Sequence, residues 1–265
     1  MFCQRDSNST VGPRDDGDGF RIYLGRAPLR RICQAMIAGT ALLILVTLVT
    51  DLGFEFEHAH HNRVMMLFDL KLEGNIAVWL SSTLLFVTGI AALFIAGQMP
   101  TRPWHLNLAW VLAALFFIGL SVDEAAQLHE AVGRIFTREV AAVPWLTPGA
   151  GADFGWLVAL TPFILAFLAV MMIVSRSLRP HPPSYRLAVA GVGCWIGVLL
   201  AEFMQAQLRR LSMERSVQGV IEEGLEIVGT NLFLASFLKF LRYTSMCRSA
   251  MAPNATPGRK TAAGN

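Results

Sequence analysis

Charge is scarce in this 265-residue chain: Asp, Glu, Lys and Arg make up 15% of it against 54% hydrophobic residues, at a mean hydropathy of +0.49. That balance excludes the soluble globular class and points to a membrane protein. Cysteine is sparse and unpatterned as well. Cys3, Cys33, Cys194 and Cys247 form no CxxC pair, which argues against a disulfide framework or a thiolate metal site. No cleavable signal peptide is visible, because the first 32 residues are polar and the apolar run after them is too long for a signal h-region. That run is expected to stay as an anchor.

What is present is a series of apolar runs. The charge-free stretch from Ile32 to Thr50 matches a hydrocarbon core of about 30 Å at ~1.5 Å per residue. Continuing along the chain gives an all-α polytopic bundle of about six transmembrane helices, with spans near 32–51, 75–97, 105–126, 154–175, 186–206 and 218–240. Trp79 and Trp104 sit where interfacial anchors belong, and Pro100 and Pro103 close the turn between the second and third spans. Pro162 predicts a kink in the fourth, and Arg134 to Val143 is an amphipathic stretch for the interface. Gly193 and Gly197 make a GxxxG suited to close packing within the chain. Residues 1–30 and 244–265 read as flexible tails flanking a transmembrane domain over 31–243.

Charge of each sign is segregated between the two sides. With six spans, the side holding both termini carries fifteen of the 22 basic residues and four of the 19 acidic ones, leaving seven and fifteen for the other side. By the positive-inside rule the termini are cytoplasmic, and the expected location is the cell inner (plasma) membrane. Basic residues on that side should attract anionic lipids rather than nucleic acid.

The fifth and sixth spans pose a problem that leads to the candidate site. Leu187 to Ala201 is short for a crossing, so the fifth helix should run on through Glu202. The run between Glu226 and Lys239 is shorter still, so the sixth must take Glu222, Glu223 and Glu226 into the membrane. Counting up each helix at about 1.5 Å per residue puts Asp123, Glu202, Glu222, Glu223 and Glu226 in one layer in the outer third of the membrane. The third span ends in SVDEAAQLHE, Ser121 to Glu130, which brings Asp123, Glu124, His129 and Glu130 to the same level. Ionisable groups at such depth face a protein interior or a wet cavity and mark function. On a regular helix Asp123, Gln127 and Glu130 share a face and His129 points elsewhere. Loosening of the helix there keeps His129 in the site.

So many carboxylates need counter-charge from protons, from Arg209 or Arg210, or from a bound cation. Three functions follow. In the first, a divalent metal of unspecified identity is held by Asp123, Glu124, Glu202, Glu222, Glu223 and Glu226, with Glu130 or His129 as general base of a membrane enzyme. In the second, the same layer relays protons or cations in a coupled transporter or channel. In the third, an acidic outer cap docks a basic partner protein in a non-catalytic assembly subunit. The loop motif HAHH, with His58, His60 and His61 beside Glu55 and Glu57, could supply nitrogen ligands if it folds over the helix ends, and Asp69 and Glu73 could approach from the same side.

The pair DEAAQLHE and EEGLEIVG in a six-span chain resembles uncharacterised bacterial multi-pass membrane proteins with a D-E-x4-H-E stretch and a later E-E-x2-E helix. The resemblance implies an inner-membrane location and a shared site, without a reaction. Membrane zinc hydrolases of the alkaline-ceramidase type do not fit, since the sixth span has no histidine. Di-iron bundles do not fit either, since they want Glu-x-x-His pairs and Glu124 to His129 is the wrong spacing. An inverted three-plus-three repeat would move the acidic motif of the sixth span to its other end, so that architecture gains no support.

Overall fold

Lipid offers no hydrogen bonds to the backbone, so apolar runs of this length fold as helices. The computed structural model describes residues 26–53, 67–68, 74–98, 103–129, 131–133, 135, 148–210 and 216–251. Within these, the side chains of 26, 50–53, 148–158, 202–203, 205–210, 216–218 and 248–251 lie outside the description. Residues 1–25 and 252–265 of the expected tails, the HAHH loop with its acidic neighbours and most of the Arg134 to Val143 segment also fall outside the described residues, whereas 26–30 and 244–251 belong to the first and last helices.

Six long helices run through the described residues: α1 (Arg26–Gly53), α2 (Ile76–Gly97), α3 (Trp104–Ala126), α4 (Pro148–Ser177), α5 (Pro182–Arg210) and α6 (Ser216–Met251). Each contains a stretch long and apolar enough to cross a membrane. The chain is an all-helical, multi-pass membrane protein. Leu42, Leu45, Leu115, Leu165 and Leu200 are largely exposed, as side chains facing lipid should be.

Local chemistry sets the helix ends. Gly74 takes the left-handed backbone at φ 68°, and Asn75 then caps α2 by accepting the Val78 N–H at 3.0 Å. Pro103 holds an extended backbone, and its carbonyl accepts the first amides of α3, from Leu106 and Asn107. α4 continues as one helix through Pro162.

Small residues and hydroxyls seat the helices. Ser82 on α2 and Ser121 on α3 each donate to the other's backbone carbonyl, at 2.9 and 2.8 Å. Ser184 on α5 and Ser236 on α6 repeat the device at 2.9 and 2.8 Å. The close approach of α5 to α6 is at Gly191 and Gly229. A Cβ on Gly191 would sit 3.1 Å from the Gly229 carbonyl, and one on Gly229 would sit 2.5 Å from the Trp195 ring. Gly193 of the GxxxG has nothing within 4 Å of its Cβ position, and Gly197 meets only Leu225, so that motif is not the seam.

Aromatic rings fill the middle of the bundle. Phe117 meets Phe167, Phe233 and Phe237 edge-on at centroid distances of 5.7, 5.4 and 6.0 Å, and Trp110 packs on Phe237 at 5.0 Å. This layer joins α3, α4 and α6, and it forms the floor beneath the site.

Candidate functional site

α3 stops short of the regular helix that angular counting assumes. Gln127 adopts the left-handed region at φ 55°, ψ 41°, and its N–H reaches back to the Asp123 carbonyl at 2.6 Å. A non-glycine residue there costs on the order of 1–3 kcal/mol, which something nearby must offset. Asp123 supplies the compensation. Its Oδ1 accepts the His129 N–H at 2.7 Å, capping the short helical stretch that follows, and its Oδ2 lies 3.0 Å from His129 Nδ1. The break thus turns His129 back onto its own helix end, where a regular helix would have aimed it elsewhere. With a carboxylate at Nδ1, the favoured tautomer carries its proton there and leaves Nε2 as the basic nitrogen.

α6 brings the second acidic group. Glu222 and Glu226, four residues apart, share a helix face with Glu223 beside them. Behind that face, Gly224 lies against Ile44 of α1, and Asn231 donates to Thr40 of α1 at 2.7 Å. These contacts fix the rotation of α6.

The two groups meet in one cavity of about 370 Å³ lined from α3, α4, α5 and α6. Asp123, Glu124, His129, Glu222, Glu223 and Glu226 all border it. The rest of the described wall is apolar, including Leu120, Phe163, Ile164, Phe167, Trp195 and Leu199. Asp123 and His129 are partly open, with side-chain exposures of 26% and 36%. Glu130 lies outside the described residues, as do the side chains of Glu202, Arg209 and Arg210. Among the described residues, no three His, Cys, Asp or Glu side chains converge closely enough to hold a metal ion. The carboxylates are spread round the cavity.

The apolar walls from α4 and α5 are what angular counting on single helices misses. Their residues look like ordinary lipid-facing or core positions in the sequence, and only the tertiary arrangement joins them to the acidic groups.

A family model described as "Domain of unknown function (DUF8692)" matches residues 36–240. The chain belongs to this family. No curated protein and no solved structure matches it. The DUF8692 region contains every described residue that lines the acidic cavity, from Gly119 to Glu226. The family description assigns no activity, so the chemistry has to be argued from the cavity.

Proposed function

We propose that the acidic cavity handles cations and that the protein is a proton- or cation-coupled transporter or channel. One observation carries the reading: Asp123 and Glu124 of α3 share a cavity with Glu222, Glu223 and Glu226 of α6, and, His129 apart, the remaining described wall is apolar. Carboxylates in membrane interiors line substrate and ion pathways because they exchange a proton for a cation without leaving a net charge in low dielectric. The Asp123–His129 pair adds a proton acceptor at the partly open side. A volume of about 370 Å³ with Phe163, Phe167 and Trp195 in its wall suits an organic cation as well as a hydrated inorganic one. The excess of basic residues on the terminal side supports an outward-facing cavity in a bacterial inner membrane.

A second reading, a divalent-metal-dependent membrane enzyme, is favoured by the same Asp123–His129 bond. A carboxylate on one ring nitrogen is the usual means of orienting a histidine that binds metal or acts as general base. Such an enzyme would draw on Asp123, Glu124, Glu222, Glu223 and Glu226, and on Glu130 or Glu202 to complete the ligand set.

The test is flux in proteoliposomes. An imposed pH gradient should drive uptake of at least one of Na⁺, K⁺, Mg²⁺ or ethidium, and Glu226→Gln should abolish it. A gradient that moves none of these through the wild type sinks the transport reading. Stoichiometric divalent metal in protein purified without chelator, lost in Glu222→Gln, would transfer the case to the enzyme.

A further inference from the structure

The opposite end of the bundle holds a second, larger cavity of about 610 Å³ between the start of α1, the α4–α5 turn and the last turns of α6. Arg30, Lys239, Arg242 and His181 line it, and among the described residues no carboxylate does. Arg30 and Lys239 have no ion-pair partner among the described residues. His181 is held rigidly: its Nδ1 lies 2.8 Å from Ser184 Oγ, its N–H donates to the Leu178 carbonyl at 2.9 Å, and its ring stacks on Tyr243 at 4.8 Å. Burial first, then the charges of Lys239 and Arg242, hold His181 below the ordinary histidine range. The bilayer side is apolar. Ile37 of α1 and Met246 of α6 line the same cavity while 64% and 51% exposed, and the exposed Leu42, Leu45 and Val49 continue along α1 beyond them.

A basic chamber that opens sideways onto an apolar helix face matches one ligand: an anion with hydrocarbon attached. We propose that this cleft binds a single anionic phospholipid, with its phosphate between Arg30, Lys239 and Arg242 and its acyl chains lying along the exposed side of α1. A multidentate phosphate contact by two arginines and a lysine explains why three cations are gathered around one cavity. A soluble phosphate would find the same donors but would leave the apolar rim without a use. The site is independent of the acidic cavity, and Arg30 and Arg242 lie outside the 36–240 family region.

Native mass spectrometry of the full chain in mild detergent tests the assignment, titrating phosphatidylglycerol, phosphatidylcholine and inorganic phosphate separately. One phosphatidylglycerol should be retained per protein, in preference to phosphatidylcholine. The double variant Lys239→Gln with Arg242→Gln should weaken it roughly 25-fold, and Arg30→Gln alone roughly fivefold, from the usual contribution of each basic residue. Lys239→Arg with Arg242→Lys should keep it. Arg176→Gln with Arg186→Gln, which removes charge from the same end outside the cleft, should leave it unchanged. Equal loss in that control would reduce the effect to diffuse surface charge and overturn the site. Saturable binding of inorganic phosphate without phosphatidylglycerol would overturn the lipid assignment. Should the double glutamine variant fail to fold, the Arg30→Gln result decides, since Arg30 is an exposed residue in the first turns of α1.

Discussion

Replacing Asp123 separates what this residue does for the fold from what it does for the cavity. Asp123→Ala removes both bonds to His129, at 2.7 and 3.0 Å, and leaves the left-handed turn at Gln127 without its compensating cap. Loss of a cap costs about 1 kcal/mol. Loss of the ring contact adds about 1 kcal/mol more, after discounting a charge-assisted bond for exposures of 26% and 36%. A local cost of about 2 kcal/mol raises the opening constant of the segment roughly 30-fold. Hydrogen–deuterium exchange in detergent should show that acceleration in the amides from Leu128 to Gly133, with the middle of α3 unchanged. Asp123→Asn keeps an oxygen for the His129 amide, so backbone protection should survive. Its new N–H donor faces the imidazole nitrogen that the carboxylate had made a donor, so the ring tautomer reverses and flux should fall although the fold stands. Unaltered exchange in Asp123→Ala would refute the capping argument. Wild-type flux in Asp123→Asn would refute the role given to the Asp123–His129 pair.

Two further expectations concern packing and pH. Gly229→Ala places a methyl 2.5 Å from the Trp195 ring and 3.0 Å from Cys194 Cβ, and should cost about 1–3 kcal/mol in thermal unfolding. Gly193→Ala, with open space around it, should cost nothing; equal destabilisation by both would remove the assigned seam. His181 is held below the ordinary histidine range by burial, then by Lys239 and Arg242, so the folded chain binds fewer protons there than the unfolded one. Its contribution is therefore present above the unfolded value of about 6.5 and lost as pH falls through the lower folded value. His181→Gln should flatten the fall of Tm on acidification, and an unchanged slope would contradict the account.

Long uninterrupted apolar runs made the fold class legible, since a membrane permits almost no other structure for them. Close packing was not legible in the same way. The GxxxG at Gly193 and Gly197 is the pattern a reader of sequences selects, yet the contacts that matter fall at Gly191 and Gly229, whose partners lie on different helices. His129 shows the same limit on a local scale. Its position depends on a glutamine adopting a backbone conformation normally left to glycine, and the reason, a carboxylate four residues earlier, appears only once the turn exists. The basic cleft was half visible: charge counting put cations at one end, but Arg30 shares a cavity with Lys239 and Arg242 from a helix more than 200 residues away in sequence.

The depth of a side chain follows from the continuity of its helix, and the two acidic helices differ in that respect. α6 is unbroken from Ser216 to Met251, so the thirteen-residue step from Glu226 to Lys239 is about 20 Å of rigid rise. With Lys239 near one interface, Glu226 cannot reach the other across a core of about 30 Å and must lie within it. Glu222 stands one turn nearer the surface, about 6 Å farther along. α3 instead ends at Ala126, soon after Asp123, which puts the Asp123–His129 pair at the rim of the same cavity. The acidic residues therefore form a graded series from rim to interior. In the proposed transport reading, a cation entering from the open side would meet Asp123 and Glu222 first and Glu226 last. That order gives the Asp123 and Glu226 substitutions different signatures: loss at the rim should weaken the apparent affinity for the transported cation, and loss at depth should stop transport while leaving initial binding in place.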